Sequence, residues 1–253
     1  MKPKGPLAYR DFRWLWSGSL FSYAAWWIQQ ASMGWVVYDI TGSGALLGAV
    51  LGVRAIPLLA FSPLAGVAAD RYNRRHLLQT SQIFSAAISL AFGAALATHH
   101  VGVGSLFAFS ILMGASNVID RPARQSMAFE MVPREIAVKA VALNIIGNNM
   151  ARILAPAIAG YLIAWFGVAG NFFIQGACYL SAAALALGVV LPPRRPRANK
   201  TSAMAELKEG VRYAMGDASL RLLFLLGVME FLDRKSTRLN SSHTDISRMP
   251  SSA

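Results

Sequence analysis

Six stretches of this chain are apolar for close to the 20 residues that a bilayer core about 30 Å thick demands of a helix, and short polar breaks separate them. They run from Trp14 to Tyr38, Ala45 to Ala68, Leu77 to Ala97, Val103 to Val118, Val141 to Ala164 and Asn171 to Leu191. A seventh, Leu220 to Leu232, is too short to span. The pattern predicts an all-α integral membrane bundle of six helices with a truncated seventh. Lys2 and Lys4 precede the first run as they would in a signal peptide. That run has full spanning length and no small-residue cleavage site follows a short apolar region, so the first helix is expected to stay.

Composition agrees: 55% of the 253 residues are hydrophobic and only 14% charged, which is too apolar for an ordinary soluble domain. A net charge of +12 would suggest nucleic acid in a soluble protein, so the placement of the charges decides their meaning. Lys2, Lys4, Arg10 and Arg13 precede the first run, Arg71, Arg74 and Arg75 follow the second, Arg121, Arg124, Arg134 and Lys139 follow the fourth, and Arg194, Arg195 and Arg197 follow the sixth. The alternate connections, Asp39 to Gly44, Thr98 to Gly102 and Trp165 to Gly170, hold no Lys or Arg. Basic loops stay on the cytoplasmic side, so both ends of the six-helix unit are expected there, in a bacterial inner membrane, and no nucleic-acid partner is expected.

Cys178 is the only cysteine, which excludes an internal disulfide and a Cys-based metal site. The histidines are His76, His99, His100 and His243, and no H-E-x-x-H, G-x-S-x-G or phosphate-loop pattern accompanies them. No catalytic group, metal or cofactor is expected.

Between the second and third runs the chain reads Gly66-Val-Ala-Ala-Asp70-Arg71-Tyr72-Asn73-Arg74-Arg75. A glycine lets another helix approach, and an aspartate there can bridge arginines and a helix N-terminus. This G-x-x-x-D-R-x-x-R-R pattern resembles motif A of the major facilitator superfamily. A second stretch, Asp120-Arg121-Pro122-Ala123-Arg124-Gln125, followed by Val132-Pro133-Arg134-Glu135, is similar to the D-x-P-A-R-Q and V-P-x-E stretches of its enterobactin-exporter-like efflux permeases. Pro122 and Pro133 are expected to bar a continuous helix and leave a kinked, charged cytoplasmic connection. The fifth run carries Asn144, Asn148, Asn149 and Arg152, then Ala155-Pro156-Ala157-Ile158-Ala159-Gly160, which resembles the G-P-x-x-G-G antiporter motif with alanine for two glycines. Pro156 and Gly160 are expected to make a kinked, tight helix contact.

Charges inside a span are costly and face a cavity or a partner, which singles out Arg54 and Arg152. Arg152 is expected to face the interior and pair with Gln30 or Asn117. Tyr23, Trp26, Gln29, Gln30 and Arg54 are candidates for a cavity that takes an amphipathic organic molecule. The resemblance covers residues 10–232 and implies the N-terminal half of a transporter, a three-plus-three inverted repeat, that exports small organic molecules of drug or siderophore class. Transport would proceed by proton-coupled alternating access against a missing C-terminal half. Asp70, Arg71 and Arg75 would then gate conformation rather than bind substrate. The rival reading is a six-span membrane enzyme or accessory subunit in which the same loop is merely structural.

Residues 192–218 read as a cytoplasmic linker with a short amphipathic helix, and 219–232 as the start of the seventh span. Asp233 to His243 and Ser247 to Ala253 can be encoded by the two parts of a common short-read sequencing adapter. Residues 233–253 are therefore expected to be translated artefact without order.

Overall fold

The computed structural model describes residues 5–61 and 73–190 together with Gly216. Gly66, Asp70 and Arg71, the linker, the seventh segment and the tail lie outside the described residues, Gly216 aside. After a single 3-10 turn at Pro6–Ala8, α1 runs Arg10–Thr41 and ends on Gly42 in the left-handed region at φ 60°. Ser43 caps α2 (Gly44–Val53) by accepting from the Leu46 amide, and a turn at Arg54 leads into further helix through Phe61. Asn73 caps α3 (Arg74–Ala97), α4 spans Val103–Glu130, and α5 runs Arg134–Leu187.

Four of these helices are long and apolar enough to cross a membrane: Gly44–Phe61, Arg74–Ala97, Val103–Glu130 and Arg134–Leu187. At 1.5 Å per residue the 54-residue α5 would reach about 81 Å, more than twice a bilayer core. It does not run straight. Gly167 adopts φ 69° and ψ 175°, a conformation open to glycine alone, and separates limbs at residues 134–166 and 168–187. Asn171 Nδ2 donates to Ala159 O at 3.0 Å across the break, so the limbs fold back on each other. The expected six-residue connection from Trp165 to Gly170 is reduced to one glycine.

The second proline segment also departs from expectation. Helix α4 continues through Pro122 to Glu130, and Pro133 is the N-cap of α5. Proline removes only its own N–H and crowds one carbonyl, a cost offset here because the extra turns bury Ala123, Met127 and Ala128. The α4–α5 connection is Met131 to Pro133, and Asp120, Pro122, Arg124 and Gln125 lie on a helix rather than in a loop.

Helix α1 is the hub. It packs on both limbs of α5, on α4 and on α2, while α3 packs on α4 and α5. Among the described residues two large apolar clusters and a smaller third fill the bundle. One of the large clusters joins Phe12, Leu15, Leu78, Met127, Ile136 and Ala186; the other joins Ala25, Met33, Val50, Leu106, Met113 and Tyr179 around the rings of Phe92, Phe109 and Phe172. Those three rings stack with centroids 4.4 to 5.4 Å apart, mostly edge to face. Cys178 is half-buried beside the second cluster. Along α1, α3 and α4 the residues between the clusters are polar, and that layer builds the site.

Candidate functional site

Tyr23, Trp26, Trp27 and Gln30 recur at i, i+3, i+4 and i+7 and so share one face of α1. They line a cavity of about 780 Å³ together with Ser85 of α3, with Ser116, Asn117, Asp120, Arg121, Arg124, Gln125 and Phe129 of α4, and with Asn144 and Asn148 of α5. The volume lies in the range of small-molecule sites. Trp27 Nε1 donates to Asn148 Oδ1 at 3.1 Å, which ties α1 to α5 across the cavity wall. Asn144 Oδ1 is buried without a partner among the described residues.

The polar layer beneath the cavity centres on Arg124, which is 4% exposed. Its Nη2 donates to Asp120 Oδ1 and Oδ2 at 2.9 and 3.0 Å and its Nε donates to Oδ2 at 3.3 Å. Nη1 and Nη2 also reach Ser19 and Ser22 Oγ at 2.9 and 3.0 Å. Gln82 Nε2 donates to Ser22 Oγ at 3.3 Å, Ser85 and Ser116 share a hydrogen bond of 2.6 Å, and Ser116 Oγ donates to Ser81 O at 2.8 Å. Three helices are thus stitched by a buried, charge-assisted network. None of these serines was singled out from the sequence, although Ser81, Ser85 and Ser89 recur every fourth residue on one face of α3.

Arg54 sits differently: against expectation it is not among the residues that line the cavity and stands behind Trp26 and Gln30. Its Nη1 donates to Gln30 Oε1 and its guanidinium carbon lies 5.2 Å from the Trp26 ring centroid, while Nε and Nη2 are buried without acceptors among the described residues. Gly114 makes that position possible, since a Cβ there would come 2.5 Å from Arg54 O. Arg121 lies 5.1 Å from the same Trp26 centroid, and Arg124 lies 5.8 Å from that of Tyr23.

Three other expected placements are corrected. Gln29 does not reach the cavity: it is fully buried and its Oε1 accepts from Gln175 Nε2 at 3.1 Å, because one residue of helix turns it about 100° from Gln30. Arg152 is exposed, with its guanidinium 5.6 Å from the Trp27 centroid. Gln30 serves Arg54 instead, and Asn117 Nδ2 donates to Met113 O at 2.6 Å. In the antiporter-like stretch Pro156 and Gly160 face outward, and nothing lies within 4 Å of a Cβ built on Gly160. The buried residues are Ala155 and Ala159, packed on Ile28, Trp27 and Ala31.

Of the motif A residues, Arg74 forms an ion pair with Glu130 at the end of α4, and Arg75 Nη1 donates to Val189 O at 3.1 Å. The start of α3 is thereby tied to the ends of α4 and α5. Among the described residues no cluster of three His, Cys, Asp or Glu could hold a metal ion.

The family model described as transmembrane secretion effector matches residues 1–237, a match that ends inside the Asp233 to His243 stretch. The chain is 27% identical over 177 residues to the Staphyloferrin A transporter of Staphylococcus aureus, covering 69% of this chain and 44% of that protein. It is 28% identical over 166 residues to the uncharacterized MFS-type transporter YfiS of Bacillus subtilis, covering 63% and 38%. Multidrug resistance protein 2 of Bacillus subtilis is 31% identical over 142 residues, covering 56% of this chain and 34% of that protein. The chain therefore spans less than half the length of the curated relatives it matches. The crystal structure of the POT family transporter PepTSo superposes with a TM-score of 0.59 at 18% identity, over 77% of this chain and 40% of that one, a likeness of fold.

Proposed function

We propose, since the chain belongs to the transmembrane secretion effector family of the major facilitator superfamily, that it supplies the six-helix N-terminal half, a three-plus-three repeat, of a secondary active exporter of small organic molecules. The observation that carries this reading is the cavity walled by Tyr23, Trp26, Trp27 and Gln30 of α1 and by the polar faces of α4 and α5. It combines apolar rings for an organic body with amides and charges that orient it, which is the composition of a small-molecule site. Drug or siderophore class substrates fit that mixture, and the names of the Staphylococcus aureus and Bacillus subtilis relatives point the same way.

The second half would close over the sparsely covered faces of the helix that follows Arg54 and of the first limb of α5, where Leu59, Val138, Ile153 and Trp165 are exposed. Alternating access follows from one half rocking against the other, with Asp70, Arg71 and Arg75 latching the cytoplasmic side, in a bacterial inner membrane with the N-terminus inside. Proton-coupled antiport is the energetic mode this family reading favours.

Flux into proteoliposomes tests the reading. The chain alone is expected to insert and to give no uphill flux, and a reading frame extended through a second helical half is expected to drive it. Uphill flux by the chain alone would show the second half to be dispensable. An extended protein that moves no siderophore or drug probe would overturn the transporter assignment.

A further inference from the structure

Among the described residues that line the cavity, Asp120, Arg121 and Arg124 carry full charges. Arg124 holds Asp120 through Nε and Nη2, so those two cancel. Arg121 is left over. It is exposed, its guanidinium carbon stands 5.1 Å from the Trp26 ring centroid, and it forms no ion pair among the described residues. The wall therefore carries one uncompensated positive charge beside low-dielectric aromatic surface, where a fixed charge is felt strongly.

The amides of the wall point to the same kind of guest. Gln30 Oε1 accepts from Arg54 Nη1, and Asn148 Oδ1 accepts from Trp27 Nε1 at 3.1 Å. A guanidinium and an indole N–H can only donate, which fixes the oxygen end of each amide and leaves the N–H groups as what Gln30 and Asn148 offer the cavity. Asn144 Oδ1 is buried in the wall, out of a ligand's reach. Asn117 keeps an acceptor, since its nitrogen is spent on Met113 O, and Gln125 can turn either way. Resting on the transporter reading above, we propose that the cavity takes an oxygen-rich organic monoanion, with its carboxylate on Arg121 and further acceptor oxygens on the amide N–H groups of Gln30 and Asn148. A guanidinium carries only donors and binds a carboxylate with charge-assisted hydrogen bonds. Tyr23, Trp27 and Phe129 offer apolar surface to the organic body.

The test is equilibrium binding to the purified full chain in detergent. Mycophenolate, an aromatic monocarboxylate with lactone and methoxy oxygens, is the anionic probe, its methyl ester the neutral one and tetraphenylphosphonium the cationic one. Mycophenolate is expected to bind at least about tenfold more tightly than either of the others, the scale of hydrogen bonds to a charged group. R121Q is expected to weaken mycophenolate about tenfold and to leave the ester within about twofold. N148D keeps an oxygen for Trp27 Nε1 and puts a carboxylate oxygen where the N–H group stood, and it is expected to weaken mycophenolate at least as much as R121Q. Helical content by circular dichroism monitors folding, and R121Q, at an exposed position, carries the test if N148D fails to fold. Equal or tighter binding of the ester or the cation, unchanged mycophenolate affinity in R121Q, or no mycophenolate binding at all would overturn the assignment. A cavity that prefers the cation would defeat the anion assignment alone and leave the transporter reading to its flux assay.

Discussion

Arg124 and Arg54 stand against the same aromatic face of α1 and differ in what surrounds them. Arg124 spends its donors on Asp120, Ser19 and Ser22 and is almost fully buried. Arg54 has one protein acceptor, Gln30, and two buried nitrogens without any among the described residues. A buried charge whose partners are all supplied by the fold holds helices together. One left with unmet donors costs stability. Residue type does not separate these two arginines; burial and the partner set do.

The sharpest way to break the comparison is to remove both cations in turn. R124Q strands the Asp120 carboxylate in the polar layer and is expected to cost about 3–5 kcal/mol, read as a large drop in thermal unfolding temperature in detergent. D120N combined with R124Q should recover most of the loss. R54Q, which deletes unmet donors, should lose less than about 1.5 kcal/mol, the net worth of its single hydrogen bond. Equal losses for the two would erase the distinction drawn between them.

Gly114→Val comes next. Its Cβ would strike Arg54 O, 2.5 Å away, and forced overpacking costs about 1–3 kcal/mol. The loss is read as a lower thermal unfolding temperature in detergent. The smallest effect is expected at Gly160→Ala, within about 0.5 kcal/mol, because the position is open. A loss of several times that in the chain alone would mean that the antiporter-like stretch packs as its glycine pattern suggested.

Much of the architecture was legible. Apolar runs of spanning length predict helices, since a helix of about 20 residues satisfies its backbone within itself in lipid, and the described residues are helical with four helices long and apolar enough to cross. Of the expected cavity residues Tyr23, Trp26, Gln29, Gln30 and Arg54, the cavity is lined by Tyr23, Trp26 and Gln30, which share one face of α1. Local rules make Pro122 a breaker and Asp120 to Gln125 a connection, yet burial of Ala123, Met127 and Ala128 carries the helix through. Polarity alone groups Gln29 with Gln30, although a helix sends neighbours in different directions. Depth in a span gives Arg152 an interior partner in Gln30, which Arg54 holds instead.

The sequence by itself determined that this is a multi-pass helical membrane protein with its charges concentrated near one face, because hydrophobicity and span length are properties of each segment alone. Only the tertiary structure decided which arginine has its donors met and which keeps two without an acceptor among the described residues, and that serines on three helices close the polar layer. Those assignments depend on which donors meet which acceptors across the bundle. Ser19 and Arg124, or Gln30 and Arg54, become partners only when helices distant in the chain pack side by side.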